Sequence, residues 1–134
     1  MIKISTTPAE GYKYIPLSER EVELPFSVWV KPLNSKQIIS LEDKVVRRDG
    51  QEVTLSSGEF GFNVCKLAIV SWENMEDSNN TQIEPKKQTD GTLTDYSVGL
   101  LPVDIIMEIA NVVVAISKDP GKIQVFFGTE EDKK

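Results

Sequence analysis

The chain has 134 residues, a length that allows one domain with a hydrophobic core. Its net charge is −6, which argues against nucleic-acid backbones and anionic membranes as partners, since both attract Lys and Arg. It contains no histidine, and Cys65 is its only cysteine, which excludes an intrachain disulfide and every metal motif that needs histidine. The lone cysteine, together with an N-terminal segment that has no apolar signal-peptide core, predicts an intracellular protein.

The clearest strand lies near the N terminus, after a polar segment. Residues 1–20 predict a mobile N-terminal arm, although the tyrosines within it can add an edge strand. Val28 and Val30 then alternate with Trp29, and this period of two is typical of a strand with one buried face. Prolines bracket the segment, which favours an edge strand or a short one.

A first helix is predicted directly after this strand. Asn34 can cap its N terminus, and Gln37, three residues later, completes a capping-box pattern. Apolar residues recur at helical spacing up to residue 46. Residues 51–55 follow a predicted turn and are typical of a short strand.

A second helix is predicted from Ser56 to the region Trp72–Met75, because apolar residues recur on one face along this stretch. Residues 74–99 then form a long polar loop. Loops of this length are usually functional or flexible. Within the loop, Asp90-Gly91 predicts a turn, so part of it can form a hairpin.

The third and most apolar helix is predicted over residues 102–117. Pro102 suits its first position, and Asp104 places a negative charge in its first turn. Two apolar stripes run along it, whereas a surface helix of a small domain normally needs one. Either the helix is fully buried or a partner covers the second stripe, and both alternatives stand at this point. The second stripe consists of Ile105, Ile109, Val112 and Ile116.

The C-terminal residues complete the predicted fold. Residues 119–121 break the third helix, 123–127 are apolar and β-prone, and 129–134 form a charged tail. The elements together predict an α+β, helix-dominated fold with about three main helices and a short N-terminal β-strand or hairpin element. We expect a single globular domain over residues 21–128, with the polar loop at 74–99.

The carboxylates and the single cysteine of the sequence form no pattern typical of a catalytic or metal site. Carboxylate pairs such as Glu42/Asp43 lie in segments predicted to be exposed, where a solvated surface is the better interpretation. Asp77 begins a pattern similar to a calcium loop, but Gln88 stands where such a loop needs its final Glu. Cys65 has no histidine to activate it and is expected to be a small buried hydrophobe. We therefore predict no enzyme, no metal and no cofactor.

Six residues are candidates for partner binding. The second stripe of the 102–117 helix supplies four of them, because a chain of this size has little to cover it. Two tryptophans are the others, since Trp is frequent at binding hot spots, although core packing is the alternative for both. The six candidates are Ile105, Ile109, Val112, Ile116, Trp72 and Trp29.

Three segments, in this order, resemble the tail assembly chaperones of long-tailed bacteriophages. The first is the strand, turn and helix of residues 21–46, with Val-Trp-Val-Lys-Pro-Leu-Asn-Ser at 28–35. The second is a helix that ends on Trp within residues 66–74 and is followed by an acidic, Asn-rich loop. The third is Leu101-Pro102, followed by an apolar helix that carries Glu. Together they span about residues 21–117.

The resemblance implies a mostly helical, non-enzymatic assembly factor. Such chaperones bind the long, aggregation-prone tape measure protein, keep it soluble and help recruit tail tube subunits around it. The resemblance also implies action in the cytoplasm of the infected bacterial host and absence from the mature virion. The alternative is a structural virion protein, such as a tail, head–tail connector or capsid decoration component, that oligomerises through the 102–117 helix. A homo-oligomer is compatible with both.

Overall fold

The described part of the protein combines a three-stranded sheet with five α-helices. A computed structural model describes residues 9–43 and 57–127. The α+β, helix-dominated class is confirmed, but the expectation of about three main helices is wrong, because two five-residue helices add to the three longer ones. The strands are β1 (Tyr12–Tyr14), β2 (Ser27–Val30) and β3 (Ile69–Glu73). The helices are α1 (Ser35–Asp43), α2 (Ser57–Ala68), α3 (Asp95–Gly99), α4 (Val103–Lys118) and α5 (Ile123–Phe127).

The sheet is antiparallel and has β2 in its centre, between β1 and β3. The predicted strand is therefore short, with four residues, but it is not an edge strand. Pro25 and Pro32 lie outside the paired residues, so they remove no hydrogen bond from the ladder. Val28 and Val30 have no exposed surface, and Trp29 points to the opposite face of the sheet, as the alternation predicts.

β1 corrects part of the mobile arm that the sequence predicts over residues 1–20. Tyr12 pairs with Val30 and Tyr14 with Val28, so residues 12–14 belong to the sheet. Gly11 leads into this strand with a φ of +82°, and a Cβ at this position would lie 2.6 Å from the carbonyl oxygen of Val30. Only glycine fits such a backbone at such a distance. Residues 1–8 lie outside the described ranges.

The helix predicted at 102–117 is confirmed as α4 and packs directly against α2. Gly61 of α2 allows this close approach, since a Cβ there would lie 2.9 Å from the Met107 sulfur and 3.5 Å from the Ala110 Cβ. The buried apolar residues of α2, α4 and the inner face of the sheet belong to one continuous core. Residues of both apolar stripes of α4 are buried in this core, which is why the helix is apolar on two sides.

The second predicted helix ends earlier than its apolar pattern indicates. α2 stops at Ala68, and Ile69–Glu73 forms β3 instead of the last turns of a helix. Apolar residues at positions 69 and 72 fit helical spacing as well as a strand with a bulge. Pairing with β2 selects the strand conformation. Trp72 pairs with Val28, and the register shifts between Trp29 and Val30 to accommodate one additional residue of β3.

The C-terminal segment Ile123–Phe127, predicted to be β-prone, is the helix α5. No described strand extends the sheet beyond β1, and α5 packs against β1 through Phe127, which contacts Tyr12 and Tyr14. The ring of Phe127 stacks on Tyr12, with 5.1 Å between the ring centroids. This packing against a tertiary neighbour overrides the strand propensity of the sequence.

The capping box at the start of α1 is confirmed. The backbone N–H of Asn34 donates to Gln37 Oε1 at 3.0 Å, and the N–H of Gln37 donates to Asn34 Oδ1 at 2.9 Å. The end of the predicted helix after residue 43, the predicted strand at 51–55 and the charged tail at 129–134 lie outside the described residues.

The polar loop predicted at 74–99 consists of two turns and α3. A bridge between Glu76 and Gln82 closes the first turn, and a bridge between Lys87 and Leu93 closes the second. Gly91, with a φ of +88°, lies in the second turn and confirms the prediction of a turn at Asp90-Gly91. α3 begins at Asp95, within the segment predicted as loop.

Candidate functional site

The second apolar stripe of α4 lies in the core, contrary to the interpretation that a partner covers it. Its four side chains are only 1% to 7% exposed to solvent: Ile105, Ile109, Val112 and Ile116. Val28 of β2 and Val64 of α2 belong to the same continuous cluster. Burial within the chain therefore accounts for the second stripe, whereas the first stripe is only partly covered, since Val103 is 73% exposed.

Trp72 is also a core residue. It retains 4% exposure, its ring lies 6.2 Å from that of Phe26, and its indole N–H donates to the carbonyl oxygen of Ile83 at 2.8 Å. Trp72 thus attaches the polar loop to the sheet. Trp29, in contrast, is half-buried on the outer face of the sheet, where the ammonium of Lys13 lies 5.3 Å from its ring centre.

An open groove with an apolar floor lies at the N-terminal end of α4. It has a volume of about 430 Å³. The loop between β1 and β2 forms one wall, and the segment after β3 and the start of α4 form the others. Its floor consists of Phe26, Met75, Leu101 and Ile105, and its rim carries the carboxylates of Glu19, Glu76 and Asp104. Ile105 is the one candidate partner residue that lines this groove.

Hydrogen bonds fix the walls of the groove. Glu19 Oε1 accepts from the backbone N–H of Phe26 at 3.0 Å, which folds the β1–β2 loop onto itself. Asn74, in a left-handed conformation with a φ of +64°, donates through Nδ2 to the carbonyl oxygen of Pro25 at 2.8 Å. The N–H of Ile83 donates to the Met75 carbonyl at 2.8 Å. The groove is therefore preformed and needs little ordering to bind a ligand.

A smaller depression of about 230 Å³ lies next to the groove. Leu24, Asn74, Glu76 and Gln82 line this depression, so it shares Asn74 and Glu76 with the groove. Leu24 exposes 76% of its surface. Val103, which neighbours two groove-lining residues in the chain, exposes 73%. Apolar surface thus extends beyond the groove itself.

Glu108, in the polar seam of α4, holds the β1–β2 loop in place. Its Oε2 accepts a hydrogen bond from the Tyr14 hydroxyl and another from the backbone N–H of Leu17 at 2.9 Å. Burial raises the pKa of Tyr14 from 10.0 to about 12, and the hydrogen bond to Glu108 and its negative charge act in the same direction. Tyr14 therefore remains a neutral donor, and the wall of the groove stays attached to α4.

The remaining candidates for chemistry have structural roles. Burial raises the pKa of the Cys65 thiol to about 12, and its sulfur lies 3.4 Å from the carbonyl oxygen of Ile106. Asp77, the first residue of the calcium-like pattern, accepts from the N–H groups of Asn79 and Thr81 at 2.8 and 3.0 Å and so stabilises a turn. Within residues 9–43 and 57–127, no group of three or more side chains is placed to hold a metal ion.

Comparisons with protein-family models, curated proteins and solved structures gave no match to this chain. None of the helices in the described ranges combines the length and the apolar character needed to cross a bilayer. The arrangement of the groove is therefore the main basis for an inference about function.

The sequence does not predict the groove, because its residues come from three distant segments. Three of them, Ser18, Glu19 and Phe26, precede the first helix. Three more, residues 74–76, follow β3, and the other four lie within 101–105, at and just before the start of α4. No local pattern marks such a site. The apolar–acidic composition of residues 17–26 is the one local signal that coincides with a wall of the groove.

Proposed function

We propose that this protein is a non-enzymatic assembly chaperone of bacteriophage tails. In this role it binds the tape measure protein, keeps it soluble and helps recruit tail tube subunits in the cytoplasm of the infected host. The groove carries the proposal, because an open apolar floor is what a protein needs to shield apolar side chains of a client. The order of segments along the chain, which resembles that family, supports the identity of the client.

The size of the groove favours reversible holding. Burial of one large apolar side chain contributes about 1.5–3 kcal/mol, and a volume of about 430 Å³ accommodates a few such side chains. Association costs at least about 4 kcal/mol, so a single groove binds weakly. A long client would therefore be covered by many copies of the protein, each of which can leave as tube subunits arrive.

The proposal is tested by expressing the tape measure protein alone and together with this chain. We expect co-expression to move the tape measure protein from the pellet to the supernatant, and a pull-down to recover both proteins. The matched comparison uses Glu76→Lys with Asp104→Lys at the groove and Glu10→Lys with Glu84→Lys elsewhere, two pairs of exposed residues with the same charge change. A tape measure protein that stays insoluble beside the wild-type chain would contradict the proposal.

Mass spectrometry of purified particles distinguishes the chaperone from a structural virion protein. A chaperone that leaves during assembly is expected at trace levels in particles. Abundant copies in a fixed ratio to tail or head proteins would contradict the chaperone proposal and support a structural virion protein.

A further inference from the structure

The rim of the groove carries one sign of charge. Glu19, Glu76 and Asp104 form no ion pair with a described Lys or Arg. Arg20, the nearest cation along the chain, is engaged elsewhere, since its Nε donates to the Ile15 carbonyl at 3.0 Å and its guanidinium lies 5.6 Å from the Tyr14 ring centre. An apolar floor within an uncompensated acidic rim complements a ligand that is both apolar and cationic.

We infer that the groove binds a cationic amphipathic segment of a polypeptide. Apolar side chains of this segment pack on Phe26 and Ile105, and its Lys or Arg side chains face Glu76 and Asp104. The inference rests on the proposed function in taking the segment to be part of the client. The chemistry of the segment, however, follows from the groove alone.

The shape of the site favours a polypeptide segment over a small molecule. Small-molecule sites enclose most of their ligand, whereas this groove is open and has the depression beside Leu24 next to it, with Asn74 and Glu76 lining both. Two neighbouring open sites suit a ligand long enough to contact both. A helix that presents side chains at spacings of three and four residues matches this description.

Two peptides of opposite charge test the inference directly. The first is a helical peptide of about 18 residues, five turns, composed of Leu, Ala and Lys. The second has Glu in place of every Lys. Trp72 provides the readout, because its ring lies 6.2 Å from Phe26 in the groove floor. With Trp29→Phe, Trp72 is the only tryptophan left in the chain, so a fluorescence titration reports on this region.

We expect the cationic peptide to bind about tenfold more tightly than the acidic one, since two ion pairs at the rim replace two repulsive contacts. The Glu76→Lys, Asp104→Lys protein is expected to reverse this preference. The Glu10→Lys, Glu84→Lys protein has the same net charge and is expected to keep it. An unreactive Cys65 thiol, which is buried in the folded protein, verifies that each variant is folded.

Equal binding of both peptides, no binding of either, or a preference that the groove variant does not reverse would overturn the inference. These results leave the proposed function intact if the wild-type chain still keeps the tape measure protein soluble. Conversely, a charge preference that reverses as expected, together with an insoluble tape measure protein, supports the groove chemistry and contradicts the proposed function.

Discussion

α4 and the groove at its N-terminal end are both rich in apolar side chains, but they differ in what covers them. Along α4, the second stripe is buried in the core, where Ile109 and Ile116 retain 1% exposure each. At the groove, Met75 is half-buried and Ile105 retains 7% exposure, so the chain covers this floor less completely. The most apolar segment is thus the centre of the core, and the candidate binding surface lies where three segments fail to close over it.

The largest expected effect separates these two regions. Ile109→Asp should unfold the protein, because it removes a buried side chain and leaves a carboxylate without a partner, at a cost of more than about 4 kcal/mol from a stability of about 5–15 kcal/mol. Circular dichroism and urea unfolding measure this loss. Asn111→Asp, an exposed change on the same helix, is the control. If the Ile109→Asp protein folds and loses only client binding, Ile109 belongs to a partner-binding surface of α4 and not to the core.

A second test concerns the packing of α2 on α4. Gly61→Leu is expected to destabilise the protein by about 1–3 kcal/mol, because the new side chain meets Met107 and Ala110. Gly58→Leu in the same helix is the matched control, since a Cβ at position 58 meets nothing within 4 Å. Thermal unfolding compares the two. Equal melting temperatures would show that α2 and α4 do not pack closely at Gly61.

The groove should respond differently from the core. Glu76→Lys with Asp104→Lys is expected to weaken binding of the tape measure protein about tenfold and to change stability by no more than about 1 kcal/mol, mostly through the loss of the negative charge in the first turn of α4. Binding of the wild-type protein should also weaken as salt is raised, because exposed charges are screened. If binding is independent of salt and survives both substitutions, the client binds to another surface.

The smallest effect concerns the contact between Tyr14 and Glu108, which joins the two regions. Tyr14 has a pKa of about 12 in the folded protein against 10.0 as its ordinary value, so the unfolded chain loses this proton first as pH rises. Its contribution to stability is therefore complete below about pH 10 and is lost as the pH approaches 12. The pKa of Cys65 is also raised in the folded protein, from 9.0 to about 12, so its contribution to stability is likewise lost as the pH rises above about 9.

Urea unfolding between pH 8 and about 11.5 measures this dependence. Tyr14→Phe is expected to lower stability by about 1 kcal/mol near neutral pH, through the lost hydrogen bond, and to reduce the alkaline slope. Among the described residues, Cys65 contributes to the slope that remains. An unchanged slope in the Tyr14→Phe protein would show that Tyr14 does not link stability to pH.

Local signals in the sequence predict the local features of this fold. The capping box of Asn34 and Gln37, the turn at Asp90-Gly91 and the helix after Pro102 each depend on neighbouring residues, and all three are confirmed. β3 and α5 were mispredicted because their conformation depends on β2 and β1, which are distant in sequence. The groove depends on three such segments, so no single stretch of the sequence indicates it.

Hydrogen–deuterium exchange of the chain with and without the tape measure protein tests the central claim most directly. The account predicts that the client slows exchange in residues 17–26, 74–76 and 101–105, which surround the groove, and leaves β1 and the outer face around Trp29 unchanged. Protection around Trp29 with no change at the groove would contradict it.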